Sequence, residues 1–346
     1  MPNIKEIAKA AGVSTSTVSR VLNNNPLVSF ETREHVSKIM RGYNYVPNSM
    51  ARGLSTQKSN TVALLVNLED TKSFDNLFFH KIMYGIENVL FQNDLSLVIC
   101  NLQASCNSKK RIGWMVQGKH VQGVILPSSI LTTDLIKTLK NQKFPFVVLG
   151  EPENITVPFD WVDINNAQGG QQAVQHLIET GYRRIAFLSG STRSVFNNNR
   201  LTGYLTMLKQ YNLPAEESLI AECDNSKGGA YIEMSRLLEL SSPPDAVICG
   251  DNIISMGAMK AISKKNLTIP RDIGIVSFDN YPIAELVEPT LTTIDIDVHQ
   301  MGVEAAKLIL KQTENPSANH QVSLISTSIQ IRESTNKGSN KHDCHS

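Results

Sequence analysis

Apolar and polar positions alternate along the first 42 residues with the spacing of three short helices. The apolar positions are Ile4, Ile7, Ala8 and Ala11 in the first segment, Val18, Val21 and Leu22 in the second, and Val36, Ile39 and Met40 in the third. Intervals of three and four residues place one apolar stripe along each helix. Asn3, Ser14 and Ser29 precede the three segments and are residue types that cap helix N-termini. The pattern predicts helices from residue 4, over 15–22 and from 30 to about 41.

The second predicted helix is rich in short polar side chains, although Ser and Thr are weak helix formers. The face opposite its apolar stripe presents Thr15, Ser16, Ser19 and Arg20. Gly12 lies in the tight turn before this helix, and two helices joined in this way, with a third closing the core, form a helix-turn-helix unit. Such side chains can hydrogen-bond base edges and phosphates in the major groove of DNA. A solvated helix face is the alternative interpretation.

From residue 61 onward, short apolar runs rich in β-branched residues alternate with segments of helical spacing. The predicted strands are TVALLVN, LSLVICN, GVILP, PFVVLG, RRIAFLSG, DAVICG and IGIVSF, and the predicted helices include FFHKIMYGIENVLFQ and AQGGQQAVQHLIETG. This alternation is typical of a doubly wound α/β fold with parallel sheets. A segment of about 270 residues exceeds one such sheet, so we expect two lobes. Ligands of these sheets bind at the carboxyl ends of the strands, which places the expected site in the cleft between the lobes.

Charge is distributed unevenly along the chain of 346 residues, whose formal net charge is +1. The first 60 residues carry eight Lys or Arg and three Glu, so this segment has a charge of +5 and the remainder −4. A basic head on a mildly acidic body indicates a polyanionic partner for the head. Because no apolar run has the length of a membrane span and the N-terminus lacks an apolar signal core, we expect a cytoplasmic protein.

Motifs for catalysis and for metal or cofactor binding are missing from the sequence. The five scattered cysteines form no Cys-x-x-Cys pair, and the terminal KHDCHS segment could hold a metal only weakly, so we expect no metal site. The sequence has no glycine-rich nucleotide loop, no Gly-x-Ser-x-Gly elbow and no His-Glu-x-x-His. Asp163, Asp251 and Asp279 near predicted strand ends could in principle support acid–base chemistry. Without a nucleophile or cofactor motif, we predict that the protein is not an enzyme and uses no cofactor.

Several segments, in order, resemble the LacI/GalR family of bacterial transcription regulators. They are AGVSTSTVSRVLN, VSFETREHV, YVPNSMARGL and KSNTVALLV near the N-terminus, then GIENVL, HVQGVIL, HLIETGYRRIAFLSG, GDNIISMGAMKAI, IGIVSFDN and PTLTTIDID. The resemblance extends to about Arg332. It implies a small all-α helix-turn-helix head and an α/β body of two lobes, similar to periplasmic binding proteins, with doubly wound parallel sheets.

The resemblance also implies domain boundaries. It predicts a helix-turn-helix DNA-binding domain over 1–46, a hinge helix and linker over 47–60, a two-lobed effector-binding and dimerisation domain over 61–332, and a disordered tail over 333–346. Within the body, the first lobe is expected to hold about 61–161 and 292–320, and the second about 162–290 and 321–332.

Roles in DNA binding follow from the same resemblance. The implied base-reading residues are Thr15, Ser16 and Arg20, and the implied phosphate-contacting residues are Ser14, Thr17, Ser19, Asn23, Ser29 and Thr32. The segment Pro47–Ser55 is too short to form a stable helix alone. In the family this hinge folds on the operator, and Leu54 occupies the position of a leucine that enters the minor groove and kinks the duplex. A flexible linker with an incidental leucine is the alternative.

For the body, the resemblance identifies Arg200 and Asp279 as effector-binding residues, with a surface salt bridge or a turn cap as the alternative. Further candidates near the cleft are Phe79, Asn225 and Phe278, and core packing is an equal alternative for both Phe. Many family members carry an Asp after the PFVVL strand, where this chain has Gly150 followed by Glu151. The segments VVLGEP and VDINN resemble members that respond to maltose-like α-glucosides.

The function implied is that of a regulator, most often a repressor of carbohydrate-use genes, that binds a pseudo-palindromic DNA operator as a homodimer. A small sugar effector in the cleft would control this binding. No leucine heptads follow Arg332, so we expect a dimer rather than a larger assembly. One alternative is the same architecture with a non-sugar effector or corepressor. Another is a sugar-binding protein without DNA function, which the basic head and the missing export signal disfavour.

Overall fold

The computed structural model describes residues 2–22, 25–45, 59–66, 77–102, 108–118, 120–155, 157–316 and 319–337. These residues divide into two compact units, one made mainly of the helical head within residues 1–60 and the other of most of the α/β body. The head consists of α1 (Ile4–Ala10), α2 (Thr15–Leu22) and α3 (Phe30–Gly42). These bounds confirm the three helices that the spacing of apolar residues predicts.

Local capping explains where the first helix of the head begins. The Asn3 Oδ1 atom accepts a hydrogen bond from the Glu6 backbone N–H at 3.1 Å, and the Glu6 side chain accepts one from the Asn3 backbone N–H at 3.1 Å. This reciprocal pair is a capping box, which satisfies two N–H groups that have no partner within the helix. The apolar stripes of the three helices then meet in one core, where Ile7, Val18 and Val36 are completely buried.

The body alternates strands and helices along most of its length. Its strands are β1 (Thr61–Val66), β2 (Ser96–Asn101), β3 (Gly123–Pro127), β4 (Phe146–Leu149), β5 (Asp160–Ile164), β6 (Ile185–Ser189), β7 (Ile220–Glu222), β8 (Ala246–Cys249), β9 (Gly274–Phe278), β10 (Thr292–Ile296), β11 (Val322–Ile325) and β12 (Thr327–Gln330). Its helices are α4 (Leu77–Gln92), α5 (Ser108–Gln117), α6 (Thr133–Asn141), α7 (Asn166–Glu179), α8 (Val195–Gln210), α9 (Lys227–Leu238), α10 (Asn252–Lys264), α11 (Ile283–Leu286) and α12 (Val298–Glu314). Among the helices described, none has the length and apolar character needed to cross a membrane.

Two six-stranded sheets form the cores of two lobes. The first sheet has the order β11-β5-β4-β3-β1-β2 and is entirely parallel. The second has the order β12-β10-β9-β8-β6-β7 and is parallel except for β12, which runs antiparallel to β10. Helices cover these sheets, and completely buried Val, Ile and Leu side chains fill the space between them. The predicted two-lobed, doubly wound α/β body is confirmed.

The predicted lobe boundaries are wrong where the chain crosses between the lobes. The boundary placed at 161/162 would divide β5, which lies wholly in the first sheet. Strand β10 was assigned to the first lobe but pairs with β9 in the second, and β11 was assigned to the second but pairs with β5 in the first. Because such pairings join strands that are distant in the sequence, the composition of a single segment does not determine which sheet it enters.

Close packing of α7 on α8 is made possible by two glycines. A Cβ atom at Gly170 would clash with the backbone carbonyl of Arg200, and a Cβ atom at Gly203 would clash with the backbone carbonyl of Ala167. The two helix backbones therefore touch directly, without side chains between them. This contact holds Arg200 close to the second sheet.

The end of the body includes residues 333–337, which were predicted to be part of a disordered tail. Residues 333–335 form a 3-10 turn in which Ser334 and Thr335 are completely buried. The Ser334 hydroxyl donates to the backbone carbonyl of Ile275 at 2.6 Å and accepts from the N–H of Thr292 at 2.8 Å. The prediction of disorder is therefore wrong for 333–337, because these buried hydrogen bonds attach the segment to the second sheet. Residues 338–346 lie outside the described part of the chain.

Candidate functional site

The outer face of α2 carries the side chains that the family resemblance predicts to read bases. Thr15, Ser16 and Arg20 are exposed, whereas Val18 and Val21 on the opposite face are buried in the head. This separation follows from the 3.6-residue period of the helix. The face therefore presents two hydroxyl groups and one guanidinium to solvent.

Two serines assigned to phosphate contacts also cap helices of the head. The Ser14 Oγ atom accepts from the Thr17 backbone N–H at 3.1 Å and lies 2.7 Å from the Ser16 Oγ atom. The Ser29 hydroxyl accepts from the Thr32 backbone N–H at 3.3 Å and donates to the Thr32 Oγ1 atom at 2.9 Å. These hydroxyl groups thus gather at the N-termini of α2 and α3, where backbone N–H groups favour nearby anions.

The remaining residues assigned to DNA contacts are placed only in part. Thr17 and Ser19 lie on α2 and are half-buried. Asn23 and Leu54 lie outside the residues that the structure describes, as does the hinge segment 47–55. The roles assigned to these residues stay predictions.

A cavity of about 820 Å³ lies between the two lobes of the body. Residues at the carboxyl ends of strands supply much of its polar lining: Gly150 after β4, Asp163 near the end of β5, Gly190 after β6, Asp251 after β8 and Asp279 after β9. Phe78, Phe79, Ile82, Phe196, Ile296 and Met301 add apolar walls. Parallel strands direct their carboxyl ends to the same edge of a sheet, and this brings the distant polar residues together.

Arg200 on α8 is the buried centre of the polar lining. Its Nε atom donates to Asn166 Oδ1 at 2.9 Å, and its Nη1 atom donates to the Gly250 carbonyl at 2.7 Å. Its Nη2 atom lies 4.0 Å from Asp279 Oδ1, and the guanidinium carbon lies 4.0 Å from the centroid of the Phe278 ring. Burial lowers the pKa of Arg200. The nearby carboxylates oppose this decrease, and Asp279 has the largest effect among them. An arginine nevertheless stays protonated in proteins, so the cavity holds a fixed cation.

Asp279 and Tyr281 bring polar atoms into the same cavity without satisfying them. Among the residues described, neither Asp279 Oδ1 nor the Tyr281 hydroxyl has a hydrogen-bond partner, and both atoms are buried. Asp279 has φ +73°, a left-handed conformation that Asp adopts more readily than most residues. Burial raises the pKa of Asp279 to about 6, although Arg200 opposes the rise. Since unpaired buried polar groups are costly, these two atoms are well suited to bind ligand hydroxyl groups.

Two further carboxylates on the cavity wall are held by backbone N–H groups. Asp163 accepts from the N–H of Glu151 at 3.0 Å and from that of Ile164 at 2.7 Å. Asp251 caps α10 by accepting from the Ile254 N–H at 2.7 Å. Burial raises the pKa of both carboxyl groups, and these backbone hydrogen bonds oppose the rise. Both carboxylates are thus fixed in position with acceptor capacity left for a ligand.

The structure places four of the five predicted effector-binding residues on the cavity wall. Arg200, Asp279, Phe79 and Asn225 line the cavity, whereas Phe278 does not. The Phe278 ring is completely buried beneath the guanidinium of Arg200. For Phe278 the structure therefore favours the alternative of core packing, because the ring lies beneath Arg200 and supports it rather than lining the cavity.

Several cavity residues were not assigned to effector binding from the sequence. They are Glu151, Asp163, Asn166, Asn197, Asp251 and Tyr281. In the sequence, Asp163 and Asp251 were noted only as acids near strand ends. Tyr281, two residues after Asp279, also follows the end of a predicted strand, and this position could have identified it. Nothing in the local sequence identifies Asn166 or Asn197, because each reaches the cavity through the packing of its helix.

Comparison with known proteins matches the head and the body of the chain to two protein families. Residues 3–48 match the family described as bacterial regulatory proteins, lacI family, and residues 174–335 match the periplasmic binding protein-like domain. The HTH-type transcriptional regulator CelR of Thermobifida fusca is 32% identical over 336 residues, which cover 96% of this chain and 98% of CelR. The HTH-type transcriptional repressor PurR of Vibrio atlanticus is 31% identical over 324 residues, which cover 93% of this chain and 95% of PurR.

Solved structures of related proteins agree with this assignment. A complex of the transcriptional regulator CelR with cellobiose has a TM-score of 0.72 and 31% identity, covering 96% of this chain and 100% of that one. A lac repressor dimer bound to operator and the anti-inducer ONPF has a TM-score of 0.77 and 25% identity, covering 96% and 99%. The relatives are transcriptional regulators, which confirms the prediction that this protein is not an enzyme. The chain belongs to the lacI family of bacterial regulatory proteins.

Proposed function

We propose that this protein represses transcription by binding a pseudo-palindromic operator as a homodimer, and that a saccharide bound in the cavity between its lobes regulates this binding. The observation that carries the proposal is the combination, in one chain, of an exposed helix face of hydroxyl and guanidinium groups with a large cavity lined by carboxylates around Arg200. The first feature suits a DNA groove, and the second suits a polyhydroxylated ligand.

The head supports the DNA-binding part of the proposal. Thr15, Ser16 and Arg20 lie within six residues on one exposed face of α2, close enough to contact neighbouring base pairs. The Ser14 and Ser29 hydroxyl groups lie at helix N-termini, where phosphates are favoured. The net positive charge of the first 60 residues adds attraction to DNA that does not depend on sequence.

The cavity supports a saccharide as the effector. Its volume of about 820 Å³ is in the range of small-molecule sites, and aromatic side chains such as Phe79 and Phe196 adjoin the carboxylates. The related CelR forms a complex with cellobiose, whereas the VVLGEP and VDINN segments of this chain suggest a maltose-like α-glucoside. A disaccharide is therefore the first ligand to test, and a non-sugar corepressor is the alternative.

Exposed apolar side chains of the first lobe support a dimer. Tyr84 and Phe91 on α4 are 62% and 73% exposed, and Val98 and Ile99 on the neighbouring edge strand β2 are also exposed. The helix α4 and the strand β2 pack against each other, and exposed apolar side chains on neighbouring elements are typical of protein–protein interaction sites. A symmetric pair of chains would bury this surface and present two heads to the two halves of a palindrome.

A gel-shift titration of the full-length protein with a pseudo-palindromic duplex from binding-site selection tests the proposal. We expect sequence-specific retardation with a stoichiometry of two chains per duplex. The affinity of the protein for the duplex should also change when a sugar is added that stabilises the protein in a thermal-shift screen. A protein that binds the sugar without retarding any duplex would be a sugar-binding protein without DNA function, and the proposal would be wrong.

A further inference from the structure

Glu151 connects the two lobes at the rim of the cavity. It follows β4 of the first lobe, and its backbone N–H donates to Asp163 Oδ2 at 3.0 Å, which fixes its position. Its side-chain Oε2 atom accepts a hydrogen bond at 2.6 Å from the Nδ2 atom of Asn199. Asn199 lies on α8 of the second lobe, immediately before Arg200. The Glu151 carboxylate is therefore a first-lobe group that contacts the second lobe at Asn199, the neighbour in sequence of Arg200.

The conformation of Gly150 accounts for the position of this carboxylate. Gly150 has φ +91°, which residues with a Cβ atom rarely adopt, and a Cβ atom there would lie 2.7 Å from the Ser128 Oγ atom. An aspartate at this position would thus be strained. The next residue, Glu151, has a side chain long enough to place its carboxylate at the cavity instead.

The charges of the cavity wall oppose anionic ligands. Among the residues described, the lining contains five carboxyl groups and one guanidinium. The carboxyl groups belong to Glu151, Glu153, Asp163, Asp251 and Asp279. Two nitrogens of the Arg200 guanidinium donate to the protein itself, and the third faces Asp279. A phosphate or carboxylate on a ligand would meet several like charges and a single guanidinium in the described lining, which disfavours its binding.

Hydroxyl groups are suited to the same wall, because they donate hydrogen bonds that carboxylates accept. In this structure the Glu151 carboxylate already has a donor, the Asn199 amide. A ligand hydroxyl can replace that amide at little cost in hydrogen bonds, since one neutral donor substitutes for another. The site is then linked to the first lobe through Glu151 and to the second through Arg200 and Asp279.

We propose that Glu151 is a specificity-determining residue of the cavity, which exchanges its hydrogen bond with Asn199 for a ligand hydroxyl and restricts the effector to saccharides without an anionic group. This inference rests on the proposed regulation by a saccharide and specifies its ligand class. Sugar phosphates and sugar acids are excluded from that class. Asn199 competes with the ligand for Glu151 rather than binding the ligand with it.

Thermal-shift and calorimetric titrations of the full-length protein test this proposal. The uncharged probes are maltose, cellobiose and glucose, and the anionic probes are glucose 6-phosphate and gluconate. We expect at least one uncharged sugar to stabilise the protein and neither anionic probe to do so. Binding of either anionic probe with an affinity equal to that of the best uncharged sugar would overturn the ligand class.

Three variants test the role of Glu151 with the uncharged sugar that binds. Glu151→Gln should weaken its binding about tenfold or more, since it removes the charged acceptor. Glu217→Gln removes the same charge from an exposed position outside the cavity lining and should change the affinity less than about threefold. Asn199→Ala should bind the sugar at least as tightly as the parent, because it removes the competing donor. Circular dichroism of each ligand-free variant verifies folding.

The outcomes separate the failure of this inference from the failure of the proposed function. Sugar binding that Glu151→Gln leaves unchanged would overturn the role of Glu151 and retain regulation by a sugar. Equal weakening by Glu151→Gln and Asn199→Ala would overturn the exchange, because the hydrogen bond between them would then be part of the bound state. No stabilisation by any of the uncharged sugars would overturn both this inference and the proposed saccharide effector.

Discussion

The guanidinium carbon of Arg200 lies 4.0 Å from the centroid of the Phe278 ring, in a position where the arginine is buried and the ring is completely buried. A cation above an aromatic face is attracted by the ring, and the attraction is stronger when water is excluded. With hydrogen bonds to Asn166 and Gly250, this contact fixes the guanidinium before any ligand arrives. Arg200 is thus preorganised, and the ligand need not meet the entropy cost of ordering it.

Replacement of Arg200 should abolish the response to the effector. We expect Arg200→Ala to weaken sugar binding by about 2–4 kcal/mol, because ligand oxygens lose a charged donor and Asp279 loses its counter-ion. Arg200→Lys should rescue little of this loss, since an ammonium cannot reproduce the planar set of donors. Calorimetric titration measures the loss, and Arg193→Ala, which changes an arginine outside the cavity lining, is the control. A response of Arg200→Ala at the parental sugar concentration in the gel shift would refute this assignment.

The Asp279 carboxyl group should make stability depend on pH in a defined window. Its pKa is raised from 3.8 to about 6 by burial, so the folded state holds the proton more tightly than the unfolded state does. The contribution of this group to the free energy of unfolding therefore falls as the pH rises from about 4 to about 6 and is constant above that range. Burial outweighs the attraction to Arg200 in setting this direction.

Asp279→Asn removes this titration and suits the backbone, because Asn tolerates the left-handed conformation at φ +73°. Between pH 7.5 and pH 4.5, we expect the parent to gain about 2 kcal/mol of stability relative to this variant. Urea unfolding of both proteins at the two pH values measures the difference in their free energies of unfolding. The contributions of the other carboxylates are common to both proteins and cancel in this difference. A difference that is constant across this range would show that Asp279 does not titrate in this way.

In the head, Arg20 should determine part of the operator sequence. We expect Arg20→Ala to cost about 1–3 kcal/mol at the preferred operator and to relax the preference at one position in each half-site. Arg41→Ala at the far end of α3 removes the same charge and should weaken all duplexes alike, if at all. Binding-site selection with the two variants and the parent gives the comparison. An unchanged preference in Arg20→Ala would remove Arg20 from the base-reading set.

The turn at residues 333–335 should contribute to the stability of the second lobe. Ser334→Ala leaves the buried N–H of Thr292 and the carbonyl of Ile275 without this partner, and we expect a loss of about 1–3 kcal/mol in the free energy of unfolding. Ser241→Ala at an exposed position is the matched control and should stay within about 0.5 kcal/mol of the parent. Equal midpoints of urea unfolding for the two variants would contradict the structural role of this turn.

Local signals in the sequence were sufficient to predict the helices of the head. The caps at Asn3, Ser14 and Ser29 and the apolar stripes predicted all three helices, because capping and helical periodicity involve residues only a few positions apart. The exposed face of α2 followed from the same period. The central strands of both sheets could also be predicted from the sequence, since strands buried on both faces are short continuous apolar runs.

Long-range contacts determined the places of the last three strands and of the turn at 333–335, which the local sequence did not predict. Strands β10, β11 and β12 are short and partly polar, so their places depended on pairing with strands far along the chain. The turn at 333–335 was mistaken for a disordered tail because its polar residues are stabilised by buried partners such as Ile275, which the local sequence does not reveal.

The candidate effector site shows the same division. Arg200 and Asp279 were identified by resemblance to a family, whereas Glu151 and Tyr281 were recognised only once the folded chain placed them in one cavity. The sequence by itself determined the local helices and strands and the residues that match the family. The tertiary structure decided that Phe278 supports Arg200 from the core and that Glu151 reaches Asn199, because both contacts join elements distant in the sequence that only the packing of sheets and helices brings together.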